Sequence, residues 1–158
     1  LKAERISLDQ AEKWFNVMLR ALREHPDLTI RFLTALMERI PAASLKKRQG
    51  LYAQAYPLYR ERPDLQLRMR LDQCRELAAA GHDIKALTLA IQTADANAKE
   101  GGAILSLLTL AVDIGNKNKK SAAVKEYLKR IENKFPKKRG RKVSGAYKAF
   151  QALLGQLK

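Results

Sequence analysis

One spacing constrains this chain more than any other feature. Apolar triples at i, i+4, i+7 start at Trp14, Leu51, Leu87 and Val124, so successive starts differ by 37, 36 and 37. They are Trp14/Met18/Ala21, Leu51/Ala55/Leu58, Leu87/Ile91/Ala94 and Val124/Leu128/Ile131. Each triple marks one face of a helix. Pro26, Pro63 and Pro136 each fall five residues after a triple, and Lys99 fills the equivalent slot in the third repeat. The seams repeat as well: LREHPDL at residues 22–28 returns as YRERPDL at 59–65. A fixed period of helix, turn and helix is the signature of stacked helical hairpins, none of which can bury its apolar face alone.

Caps and periodicity place the helices. Ser7 and Gln10 have capping-box spacing, and a leading helix is expected over 7–25. Asp27, Asp64 and Asp83 follow as expected N-caps. Pro57 inside the third helix removes a backbone donor and should kink or break it. Gly81 should end the fourth helix, and Gly115 the sixth. The predicted layout is one helical-repeat domain over 1–158: leading helix 7–25, hairpins 27–62, 64–99 and 102–135, and a closing helix at 143–157 that caps the stack. Ala, Leu, Lys, Arg, Glu and Gln dominate, and no alternating strand pattern of useful length appears. The chain opens on Leu1 without a Met, which reads as a segment of a longer protein.

RLDQCRELAAAGHDIKALTLAIQTADANAKEG at 70–101 and IENKFP at 131–136 resemble the tetratricopeptide-repeat family. The first has the small-residue helix end, the turn Gly81 and Ala86 five residues later. Gly115 recurs 34 residues after Gly81, the family's usual period. The resemblance covers residues 8–136. It implies an all-α, right-handed α-solenoid of about eight antiparallel helices, with first helices lining a concave face, and partner binding as its activity.

Little in the sequence points to catalysis. His25 and His82 both sit at helix ends, and no Cys/His cluster suggests a metal. There is no phosphate loop and no GxSxG elbow. No cofactor is implied. Cys74, the single cysteine, excludes an internal disulfide and is compatible with a cytoplasmic or other reducing compartment. No run of about 18 apolar residues is present.

Candidate contacts fall into two groups. Arg31, Arg68 and Arg75 occupy first-helix positions that would face the concavity in such repeats, where arginine can grip a carboxylate with two parallel hydrogen bonds. Tyr52, Tyr56 and Tyr59 form a stripe bordering the core face, flanked by Arg48 and Arg60. It reads first as interhelical packing and second as an aromatic patch, with Tyr52 and Tyr56 as candidates. The net charge is +15, and residues 117–158 carry 14 Lys/Arg against 2 Glu. Lys117, Lys119 and Lys120, then Lys137, Lys138, Arg139, Arg141 and Lys142, are the candidates for polyanion contact. The leading expectation is a noncatalytic protein-interaction or scaffolding module that binds an acidic peptide or protein. The alternatives are nucleic-acid or other polyanion binding through the basic C-terminal region, and a helical accessory domain of a larger enzyme.

Overall fold

The computed structural model describes residues 7–40, 44–97, 102–139 and 142–158. Pro41, Lys99, Gly101 and Arg141 lie outside the described residues. Among the described residues, eight helices pack against neighbours: α1 Leu8–Ala21, α2 Pro26–Arg39, α3 Leu45–Ala55, α4 Pro63–Ala79, α5 Asp83–Ala96, α6 Leu105–Lys117, α7 Ser121–Ile131 and α8 Gly145–Gln156. A two-residue antiparallel ribbon precedes α8. Its strands β1 Lys138–Arg139 and β2 Lys142–Val143 pair Lys138 with Val143 and Arg139 with Lys142. The chain forms two compact units, Leu1–Met69 and Arg70–Lys158, with the boundary inside α4.

In the N-terminal unit, α1 opens on the expected capping box. The Ser7 hydroxyl accepts from the Gln10 amide, and the Gln10 side chain accepts from the Ser7 amide. Its core gathers Phe15 from α1, Leu33, Leu36 and Met37 from α2, and Leu51 and Ala55 from α3. The first triple is corrected here. Trp14 is 50% exposed, whereas Phe15 is fully buried. α1 turns Phe15 and Leu19 inward, one residue round from the triple, and Leu22 follows as its C-cap residue. α3 ends at Ala55, and the chain winds as a 3-10 turn over Tyr56–Tyr59, so Pro57 breaks the helix as expected. Beyond it Tyr59, not Leu58, turns inward.

The repeated seam has a different mechanism from the expected Asp cap. Pro26 and Pro63 are the first residues of α2 and α4, a position where the missing N–H would have no intrahelical partner. For α2 the N-cap residue is His25, and no side chain caps it. Asp27 and Asp64 instead lie in the first turns, where a carboxylate suits the helix dipole. Arg62, at the position His25 holds in the preceding seam, lies 3.1 Å from Asp64 and 3.5 Å from Asp27. One guanidinium thus ties a seam to the one before it. Arg62 holds the Asp64 carboxyl below the usual carboxylate range.

In the C-terminal unit, the second halves of the third and fourth repeats bury Leu87, Ala94, Val124, Leu128 and Ile131 as expected, while Ile91 is only half-buried. α4 closes in a Schellman motif at Gly81, whose φ is +80°. The His82 amide donates to the Leu77 carbonyl (2.8 Å) and the Gly81 amide to Ala78 (3.0 Å). α5 starts at Asp83 with His82 as its N-cap residue, so Asp83 is not its capping side chain.

Gly115 does not stop α6. The helix continues to Lys117, and the left-handed residue that ends it is Lys119, with φ 57°. The Lys120 amide then donates to the Gly115 carbonyl at 2.8 Å, the same wrap seen at Gly81. A Cβ on Gly115 would stand 2.8 Å from Val124 Cγ2. This glycine therefore allows close approach of α6 and α7. Because a side chain strains the left-handed region, Lys119→Gly should stabilise the protein by about 0.5–1 kcal/mol. A lower thermal midpoint for this variant would refute the capping assignment.

Side chains one repeat apart meet within each unit. Lys47 reaches Asp9 across 38 residues at 3.0 Å. Asn118 reaches Asp83 across 35 at 3.0 Å. The Tyr127 hydroxyl donates to the Ile91 carbonyl across 36 at 3.3 Å, and Arg130 reaches Asp95 across 35 at 3.4 Å.

Candidate interaction surfaces

The three arginines stay at the surface. Arg31 on α2 and Arg68 on α4 are exposed, with no acidic partner among the described residues. Arg75 is exposed on α4 and lies 3.6 Å from Asp72, an exposed pair of the kind that contributes little and opens readily. Arg68 and Arg75 both belong to α4. Arg31 and Arg68 belong to the N-terminal unit and Arg75 to the C-terminal one.

The tyrosines pack. Tyr52 is 6% exposed in the core, and Tyr56 is half-buried against it. The Tyr56 carbonyl accepts from Gln66 Nε2 at 3.0 Å. Burial raises the phenol pKa of Tyr59, and Thr29 partly offsets the rise. The interhelical reading of this stripe fits these positions, and little of Tyr52 is left to meet a partner. Arg48 is also structural. It donates to the Met37 carbonyl and, at 2.7 Å, to Ile40, where α2 ends and carbonyls lack intrahelical donors.

The basic positions divide in an unexpected way. Lys117 lies 2.8 Å from Asp83, which also accepts from Asn118 Nδ2. Asp83 is largely buried, and these two donors hold its carboxyl below the usual range. Lys117 is thus part of a tether between the end of α6 and the start of α5. The contribution of Asp83 to stability is present above its unfolded-state pKa of about 4 and is lost as pH falls through the lower folded value. Asp83→Asn should therefore remove part of the acid-side slope below about pH 4. An unchanged acid limb would show that the tether carries no charge dependence.

Lys119, Lys120 and Lys137 are exposed, with no acidic partner among the described residues. Lys138, Arg139 and Lys142 lie on the ribbon, and Arg141 lies outside the described residues. The hydrogen bonds also show a hub at Asn116 that the sequence does not announce. Asn116 Oδ1 accepts from Ser121 Oγ (2.9 Å) and from the Lys158 amide (3.1 Å), and Asn116 Nδ2 donates to the Gln156 carbonyl (2.9 Å). The end of α8 is thereby pinned to the α6–α7 turn. The middle of α8 docks just past the other end of α7, where Phe150 stacks on Phe135 with centroids 4.2 Å apart and Gln151 donates to Glu132. The sequence offers only the pair Asn116 and Asn118 after Gly115, the first in the last turn of α6 and the second just past it.

Burial pushes the Cys74 thiol up to about 12, so it is held as an inert thiol in the core. Among the described residues, no three His, Cys, Asp or Glu side chains converge to hold a metal. No described helix is long and apolar enough to cross a membrane. Comparison with protein-family models, curated proteins and solved structures found no match to this chain.

Proposed function

We propose that the chain is a noncatalytic interaction module, a tetratricopeptide-like right-handed solenoid that takes an acidic peptide or an acidic face of a partner protein. The single observation that carries this reading is the set of side-chain contacts one repeat apart, from Asp9–Lys47 to Asp95–Arg130. Stacked hairpins bring equivalent helices together at that interval, and such stacks serve as binding scaffolds. Arg31 and Arg68 are the primary contacts because both are exposed without an acidic partner among the described residues. Arg75 is a secondary contact that exchanges Asp72 for a partner carboxylate. Tyr52 has no direct role in this reading, and Tyr56 offers only its exposed edge.

Titration with a glutamate-rich peptide tests the proposal. The Arg31→Glu/Arg68→Glu variant should bind at least about tenfold more weakly, since removing a charge-assisted hydrogen bond costs about 1.5–3 kcal/mol. Equal affinity for the variant and the parent, or no binding of the peptide to the parent, would end the reading.

A further inference from the structure

Several acids of the C-terminal unit are engaged, while Asp113 and Glu126 stand exposed among a larger number of lysines. Asp83 is taken by Lys117 and Asn118, Asp95 by Arg130, and Glu132 by Gln151. Lys119, Lys120, Lys125, Lys129, Lys134 and Lys148 remain exposed, with no acidic partner among the described residues. α7 turns Val124, Tyr127, Leu128 and Ile131 inward. That leaves Lys125 and Lys129, one turn apart, on its outer side. Glu126 falls on the neighbouring flank with Arg130.

Lys119 and Lys120 stand before the first turn of α7, and Lys134 stands just past its end. α8 runs in the opposite direction. The Phe135–Phe150 stack brings the middle of α8 to the segment just past α7, and the Asn116 hub brings the end of α8 to the start. Lysines thus continue along the whole length of α7. An 11-residue helix is about 16 Å long, which matches roughly five phosphates of one nucleic-acid strand at 3.4 Å each.

We propose that this edge binds the phosphate backbone of duplex nucleic acid without regard to sequence. The charges are lysine point charges rather than forked guanidinium groups, which suits phosphates more than base edges. Of the nearby rings, Tyr127, Phe135 and Phe150 are buried, and only Tyr147 is partly exposed. That disfavours a single-strand platform and favours the polymer with the densest phosphates. The surface uses residues other than Arg31, Arg68 and Arg75, and its failure would leave the acidic-peptide reading intact.

Anisotropy of a short labelled duplex of arbitrary sequence, measured across a salt series, is the test. With about five phosphate contacts, affinity should fall by a few hundredfold between about 50 and about 200 mM salt. Lys125→Gln/Lys129→Gln should reduce the steepness of the log–log salt slope by about two. Lys119→Gln/Lys120→Gln should do the same, while Lys13→Gln/Lys46→Gln should leave the slope unchanged. Three results would each overturn the proposal: no duplex binding at the lowest salt, an unchanged slope in both α7-edge variants, or tighter binding of heparin or phosphatidylserine vesicles than of duplex.

Discussion

Phe150→Ala should destabilise the C-terminal unit by about 3–5 kcal/mol, the largest single-residue effect expected in this chain. Phe150 is fully buried and lies nearly parallel to Phe135, with 20° between the rings. The truncation removes burial, opens a cavity and loses an aromatic pair that adds about 0.5–1.5 kcal/mol beyond its area. α8 has 12 residues, a length marginal for an isolated helix in water. Its retention depends on packing, supported by the hydrogen bonds to Glu132 and Asn116. Chemical denaturation followed by helical circular dichroism measures the loss. Phe150→Leu should cost much less, because a branched aliphatic fills most of the space. A loss below about 1 kcal/mol for the alanine variant would mean that α8 is not anchored by this stack.

Gly115→Ala should reverse the usual sign of a glycine-to-alanine change in a helix. Replacing a helical glycine by alanine ordinarily stabilises by about 0.5–1 kcal/mol. Gly50 in α3 and Gly155 in α8 have open space where a Cβ would go and should follow that rule. At Gly115 the new methyl meets Val124 Cγ2 at 2.8 Å, and Val124 is a fully buried, β-branched side chain with little room to turn. Overpacking of this kind costs about 1–3 kcal/mol, so the net change is a destabilisation of up to about 2.5 kcal/mol. Val124→Ala removes the obstructing methyl. The double variant should therefore lose less than the sum of the two single losses. Additive losses would show that the two residues are not in contact.

These residues mark how far the sequence could be read. The helical class, the break at Pro57 and the buried second-helix faces of the third and fourth repeats were legible because they follow from backbone chemistry and a 3.6-residue period. The Gly81 turn was legible for the same reason, since a left-handed residue after a helix is most often glycine. Gly115 was misleading because a glycine that ends a helix and one that admits a neighbour look alike in sequence. The stop at Lys119 was hidden because the left-handed conformation there is imposed by the α6–α7 turn on a residue that does not favour it.

Trp14 shows a second limit. A triple at i, i+4, i+7 fixes a stripe to within about one residue, or 100° of helix rotation. Which edge of the stripe turns inward depends on what packs against it, and α1 turns Phe15. Asp83 shows a third. Three aspartates near helix starts all looked like caps. Asp83 is drawn to a lysine and an asparagine of the next repeat, and Asp27 and Asp64 to Arg62. Those partners are 34 or more residues away in two cases, a distance that local spacing rules do not span. The candidate surfaces were legible as charge and not as placement. Nothing in KNKK separates Lys117, tethered to Asp83, from Lys119 and Lys120, which stay exposed.

The central claim is that neighbouring repeats meet at one repeat interval. Nuclear Overhauser contacts in the folded protein test it directly. Stacked repeats predict cross-peaks between the Tyr127 ring and the α-protons around Ile91, alongside those between the Val124 methyls and the Gly115 α-protons. Resolved resonances that show the Val124–Gly115 hairpin contact but no contact between Tyr127 and the Ile91 region would contradict the stacking of one repeat on the next.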